Sequence, residues 1–523
     1  MTNQSSTDGD SEDEDAFTED DAIRGILKSA SVIYAGLFFN MAIAFVAQRF
    51  AAVHLSVDGF GSLLSGTALL DIGAVVAGLG LASGLTRYLP RVSEQQKRPL
   101  VKYTFIFVLP VSAIVAIPTV LLADRIAVMV FNDPNIAVSL RIFGATIPFA
   151  AALNLAIGGV RGQMVSRFQV YIKDILQPST RFGLIALAVV LGAGQAGFAA
   201  GYAIPYAVGA FVSIALLWRV LPSGAGLQVK RDVLAGMVRY SLPHTVTGLA
   251  SFIYRSIDIF LILYLLDSGA VGLYGVAYAF AQFIGMFSTA FSYLSTPISS
   301  RLENNDRVDE AVAVQETIAR WIVIATIAAL VPMSLFASEF LELIYRPVYG
   351  EAGVVLLILI IGFAIKNVLQ THGPILEALG KSKLSAVNTT AAATVNVVVN
   401  LALIPKYGIE GAALATTLSF VVLGALPTIE VWYYTGLTSI SRRVIAPIML
   451  SIPLIVISVP IFQITPQTLF WIITASIIFA MSYFVTIVIV LGFTREDVMV
   501  VRSIEDKYDI SLGPVDAVLR RYS

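Results

Sequence analysis

The chain has 523 residues, of which 57% are hydrophobic and 13% charged, with a formal net charge of −1. Its mean hydropathy is +0.82, and apolar runs of about 20 residues recur from Ser29 to Gly492, long enough to cross a bilayer as helices and too long for barrel strands. That excludes a soluble domain and predicts an all-α polytopic membrane protein; with no cysteine, disulfide and thiolate chemistry are excluded as well.

Residues 1–28 carry the acidic run "DGDSEDEDAFTEDD" and read as a disordered, solvated cytoplasmic tail. Asp13-Glu14-Asp15 has the Asp-x-Asp spacing that some sugar-nucleotide enzymes use for a metal. In a low-complexity acidic run, however, a solvated tail is the stronger reading. There is neither the basic start nor the early apolar core of a cleaved signal peptide, so the first membrane helix is expected to act as its own insertion signal. About fourteen spans follow: 29–51, 58–86, 100–123, 138–160, 175–194, 197–219, 240–266, 270–297, 313–337, 353–371, 384–404, 409–434, 444–463 and 468–492. Residues 493–523 form a cytoplasmic tail too small for a domain.

Basic residues set the orientation. With a cytoplasmic N-terminus, only Arg49, Arg125, Arg141, Arg346 and Lys406 of the 34 fall outside, while Arg181 and Arg255 fall within spans. The others, Lys173 among them, fall inside, as the positive-inside rule requires. A multi-pass protein of the cell membrane with both termini cytoplasmic is expected.

Two stretches repeat. "GQAGFAAGYAIPYAVGAFVS" (194–213) matches "KYGIEGAALATTLSFVVLGA" (406–425), and "VDGFGSLLSGTALL" (57–70) matches "AVGLYGVAYAFAQF" (270–283). Gly197 aligns with Gly408 and Gly59 with Gly272, at offsets of 211 and 213. One near-constant offset points to a duplicated six-helix unit. An even number of helices keeps both copies in one orientation, related by a pseudo-twofold axis along the membrane normal. The expected organisation is an N-lobe over 29–220 (helices 1–6), a C-lobe over 235–435 (helices 7–12), and two further helices over 444–492.

Within this frame, "NVVVNLALIPKYGIEGAALATTLSF" (396–420) resembles the signature of the polysaccharide and oligosaccharide-lipid flippases, which belong to the multidrug/oligosaccharidyl-lipid/polysaccharide exporter superfamily. Asn396, Asn400, Pro405, Gly408 and Gly411 carry the match, with Ala412, Ala413, Ala415, Thr416 and Ser419. "DIFLILYLLDSGAVGLYGVAYAF" (258–280) is similar to the family's seventh-to-eighth helix junction. "GLGLASGLTRYLPR" (78–91) looks like the end of its second helix, with Arg87 in place. The resemblance spans roughly residues 25–495 and implies translocation of a polyprenyl- or dolichyl-phosphate-linked oligosaccharide across the cytoplasmic membrane by alternating access, for cell-surface glycan or glycoprotein assembly. It also implies a cavity with cations for phosphate and polar side chains for sugar.

A charge at mid-bilayer costs about 2.5–3.5 kcal/mol on insertion scales, so it faces the bundle interior or a wet cavity. Arg255 and Asp258, three apart on one helix face, are either an interhelical clamp or a cavity-lining pair in which Asp258 holds Arg255 ready for an anion. Asp71, about fourteen residues from either end of its span, either pairs with an arginine such as Arg255 or acts as a cation-coupling carboxylate. Asn40 and Gln282 suit helix-packing hydrogen bonds more than substrate contact. Arg181 either snorkels to the interface or faces the cavity. Arg87, Lys102 and Arg161 lie at inner helix ends, where anchoring is the default role, and Arg87 is kept as a cavity candidate.

His54, His244 and His372 have no metal-ligand spacing. "ALGKSK" (378–383) lacks the upstream glycine of a phosphate-binding loop. No metal site, cofactor or ATPase is expected, and no enzyme activity. Transport would draw on an ion gradient, the membrane potential or product consumption. The expected partners are a lipid-linked glycan substrate, membrane lipid, a coupling ion (proton or sodium) and the glycosyltransferases of the same pathway, with no nucleic acid. Within the superfamily, a cation-coupled multidrug exporter and a peptidoglycan-precursor lipid flippase remain as alternatives. A membrane glycosyltransferase, from another class, would need catalytic groups in a large loop, and the loops are short.

Overall fold

The computed structural model describes residues 39–165, 167–222, 229–303, 308–370, 375–376, 379, 381–436, 441–464 and 466–492. Both expected tails, Asp13-Glu14-Asp15, the first ten residues of the first span and His372 lie outside the described residues.

The helices follow the expected order. They are α1 (39–54), α2 (Val57–Gly78), α3 (Glu94–Leu121), α4 (Ala137–Gly162), α5 (a π-helical Val170–Leu176 continuing as Gln177–Val190), α6 (Gly194–Val220) and α7 (Arg231–Leu265). Then come α8 (Ser268–Glu303), α9 (Val308–Leu335), α10 (Gly353–Leu369), α11 and α12 within Ser382–Thr435, α13 (Arg442–Ile464) and α14 (Leu469–Leu491). Among the described residues, eleven helices are long and apolar enough to cross a membrane. One of these folds back on itself and counts twice, α1 is described only from residue 39, and α5 is divided by its π segment.

The fold-back is the α11–α12 turn. Helical assignment runs through Ser382–Thr435, but Gly408 has φ 59° and ψ −137°, a conformation essentially confined to glycine. A methyl at Gly411 would lie 2.4 Å from the carbonyl oxygen of Leu403, so the chain doubles back tightly. Across the hairpin, Asn396 Nδ2 reaches Ser419 Oγ at 3.4 Å and Asn388 Nδ2 reaches Glu430 Oε2 at 2.7 Å. Both pairs are centred on the turn. Asn400 Nδ2 donates to Asn396 Oδ1 at 3.0 Å, and both asparagines are fully buried. The motif 396–411 thus builds an antiparallel helical hairpin with its own polar lock.

Two expectations are corrected. The second span is not one helix over 58–86. It breaks after Gly78, where Leu79 and Gly80 both take left-handed φ of 48° and 65°, and resumes as Leu81–Tyr88. The fifth span starts earlier than 175, because the polar pair Lys173-Asp174 lies inside the π-helix Val170–Leu176 and not in a loop.

In the N-lobe, α4 is central and packs on α2, α3 and α6, with α5 against α6. In the C-lobe, α10 and the α11–α12 hairpin pack together, with α7 on the hairpin and α8 on α10; α9 carries α13 and α14. The lobes meet chiefly where α2 lies against α8 and α7. That contact is backbone to backbone at the end expected outside: a methyl on Gly61 would lie 1.7 Å from the Ser268 carbonyl oxygen, and one on Gly272 would lie 2.4 Å from that of Val57. Asp133 Oδ2 accepts from Ser268 N at 3.0 Å, and Arg346 and Tyr349 donate to the carbonyls of Leu55 and Ala52 at 2.9 and 3.1 Å. At the other end, Gly80 and Gly84 admit Ser241 of α7. Small residues let helices approach this closely in lipid, where burial of apolar surface gives no drive.

Candidate functional site

Between these two contacts lies a cavity of about 660 Å³, walled by α1, α2, α4, α5 and α6 on the N-lobe side and by α7 and α8 on the other. Its polar lining includes Arg255, Arg181, Lys173, Asp71, Asp174 and Asn40. Among the described residues no ion pair joins any of these charges; the ion pairs present are Lys97–Glu94 at 2.7 Å and Arg141–Asp124, both at helix ends away from the cavity.

The expected Arg255–Asp258 pair does not form. Asp258 is only 2% exposed, and its Oδ2 accepts from the hydroxyls of Tyr274 at 2.6 Å and Thr416 at 2.9 Å. These hydroxyls lie 3.0 Å apart, so α7, α8 and α12 are tied at one point. Both hydroxyls bind Oδ2, while Oδ1 is buried without a hydrogen-bond partner among the described residues, and Arg255 turns outward. Arg255 is exposed to the cavity, and among the described residues its Nε donates only to the Ser251 carbonyl, one turn back, at 3.3 Å.

Asp71 faces the cavity and lies within Coulombic reach of Arg255, Arg181 and Lys173. It is in ion-pair contact with none of them, so the expected direct pairing with Arg255 is also absent. Arg181 does not snorkel. With α5 beginning near 167, it stands well inside the bundle, its guanidinium 4.8 Å from the ring of Tyr202, and its Nε is buried without a hydrogen-bond partner. Asn40 lines the cavity while donating to Asp174 Oδ1 at 3.1 Å, and Gln282 lines it from α8. Arg87 is not on the wall. It lies in the last turn of the short helix Leu81–Tyr88, 4.2 Å over the ring of Tyr240, because the chain turn at Leu79–Gly80 carries it towards α7. Arg161 donates to Gln169 at 2.5 Å at the inner end of α4.

Sequence reasoning missed Lys173, Asp174, Asn154 and Gln177. Lys173 Nζ donates to Asn154 Oδ1 at 3.0 Å, and Gln177 is 8% exposed with its Nε2 unpartnered. The signal was present in the spacing 173, 177, 181, one helical face once the helix is begun at 167.

Two six-helix lobes closing on a polar cavity, with two peripheral helices, define the architecture of the two-lobed polytopic transporters. The chain belongs to the polysaccharide biosynthesis protein family, whose sequence model matches residues 52–352. It is 23% identical over 403 residues, 76% of this chain and 81% of the relative, to the probable low-salt glycan biosynthesis flippase Agl15 of Haloferax volcanii. It is 27% identical over 179 residues, 33% of this chain and 37% of the relative, to the probable flippase AglR of the same organism. Among solved structures, it superposes on the lipid II flippase MurJ in an inward closed conformation with a TM-score of 0.72 at 12% identity, covering 88% of this chain and 99% of that one. An inward-facing multidrug resistance MATE family transporter gives 0.59 at 14% identity, covering 76% and 94%. At these identities the structural likeness establishes the fold.

Proposed function

We propose that the chain is a flippase that carries a polyprenyl- or dolichyl-phosphate-linked oligosaccharide across the cell membrane by alternating access of the two lobes. One observation carries this: Arg255, Arg181 and Lys173 face a single cavity and none is in an ion pair among the described residues. Membrane helices that hold three cations, at about 2.5–3.5 kcal/mol each on insertion scales, out of direct contact with the carboxylates of the same wall can receive an anion. Arginine's fork suits phosphate oxygens. The printed names of the two Haloferax relatives support the glycan class. The likeness to the lipid II flippase favours, as a second reading, a peptidoglycan-precursor substrate that would present the same phosphate chemistry. Glycosyltransferases would supply the substrate, and a proton or sodium ion would couple through the cavity carboxylates, Asp71 first.

The direct test is translocation of a fluorescent dolichyl-phosphate-linked sugar in vesicles containing the purified chain. Flux should exceed that of protein-free vesicles and saturate with probe; flux no faster than the lipid alone would overturn the proposal. Orientation is checked separately. A single cysteine replacing Val348 should label from outside and one replacing Gln95 should not, and the reverse pattern would invert the proposed topology.

A further inference from the structure

A second polar group faces the same cavity, and phosphate binding does not account for it. Helix α5 enters the bundle as the π-helix Val170–Leu176. Wide π turns of this kind gather at functional sites. In an α-helix neighbouring side chains diverge by about 100°, yet Lys173 and Asp174 both line the cavity. Each is fixed by an amide from a different helix, Lys173 by Asn154 of α4 and Asp174 by Asn40 of α1. Asp174 Oδ2 has no hydrogen bond among the described residues. One turn on, Gln177 is more than nine-tenths buried, lies on the cavity wall, and has an unpartnered Nε2. Buried polar atoms of this kind carry a desolvation cost unless something pairs with them.

The donor set selects the ligand. A carboxylate that accepts and an amide that donates match a hydroxyl, which does both. A second phosphate is excluded, because Asp174 would repel it. We infer that Asp174 and Gln177, braced by Asn40, form a hydroxyl-recognising subsite for the sugar attached to the phosphate, while Arg255 and Arg181 hold the phosphate itself. This rests on the flippase function proposed above and assigns the reading of the glycan to the N-lobe wall.

The test compares the affinity of the full-length purified chain for farnesyl phosphate with that for farnesyl-phosphoryl glucose, galactose, mannose and N-acetylglucosamine, by titration calorimetry. At least one hexosyl probe should bind about tenfold or more tighter than farnesyl phosphate, the scale of a hydrogen bond to a charged group. Asp174→Asn and Gln177→Leu should each bring that ratio close to one. If these side chains only tie α1 to α5, the substitutions will lower the unfolding temperature and weaken every probe by one common factor, leaving the ratio intact; that overturns the subsite. Equal binding of all probes by the unaltered chain overturns it too, with phosphate recognition left standing. No binding of any probe, farnesyl phosphate included, would overturn phosphate recognition and the subsite with it.

Discussion

Replacing Arg255 by leucine is expected to lower translocation of a phosphate-linked glycan by about 10- to 100-fold, the loss of one charge-assisted contact to a phosphate. Folding should hardly change. The guanidinium is exposed to the cavity and among the described residues donates only to the Ser251 carbonyl of its own helix, so its removal strands no buried partner there, and a shift within about 0.5 kcal/mol is the usual scale for such sites. Arg255→Lys keeps the charge but loses the fork, and should recover only part of the flux. Because Arg255 and Asp258 do not touch, Arg255→Leu/Asp258→Leu should show the two single effects added together. A clamp would behave otherwise, with the double replacement restoring what each single one destroyed. Vesicle flux normalised to folded protein decides this, and near-normal flux for Arg255→Leu would remove Arg255 from the transport path.

Asp258 should give the opposite result. Its carboxyl takes both hydroxyl bonds that join α8 and α12 to α7. Asp258→Ala leaves the Tyr274 and Thr416 hydroxyls with only each other, at about 1–3 kcal/mol for a stranded buried group plus the space left by the carboxyl. A loss of about 2–4 kcal/mol and a clearly lower unfolding temperature in detergent are expected. Asp258→Asn keeps an oxygen where Oδ2 stands and should fall within about 1 kcal/mol of the unaltered chain. An Asp258→Ala protein that melts with the parent would show that the three helices are held by apolar packing alone.

These two residues show what a sequence carries and what it does not. Hydropathy and basic-residue placement locate membrane helices because each helix must satisfy its backbone within itself and face lipid as a unit. The order of α1 to α14 was therefore legible, and so was the hairpin at Gly408 from its glycine and proline. Breaks and starts were not. Leu79 is an ordinary residue that nothing marks for a left-handed φ, and the Lys173-Asp174 pair looked like a loop because a polar dipeptide ends an apolar run. Side-chain partners were least legible. Sequence shows Arg255 three residues from Asp258, but not Thr416, 158 positions further on, which competes for the carboxyl and wins. The membrane cost of polar groups alone sends Asp71 to the interior, but it leaves Arg181 between interface and cavity and Asn40 as a helix-packing residue, and dismissing Arg87 needed the course of the chain beyond Gly80.

The π segment of α5 also has an evolutionary consequence. Deleting a single residue from 170–176 would let the wide turn close to α geometry while the helix beyond it keeps its phase, because a π turn takes up about one residue more than an α turn. Gln177 and Arg181 would stay on the wall, but Lys173 and Asp174 could no longer share it. Point substitutions in this stretch adjust one contact at a time. A change of length makes or removes such a doubled contact in one step, so descendants that acquire new cargo have a route through insertion or loss of one codon that no sequence of single replacements would reproduce.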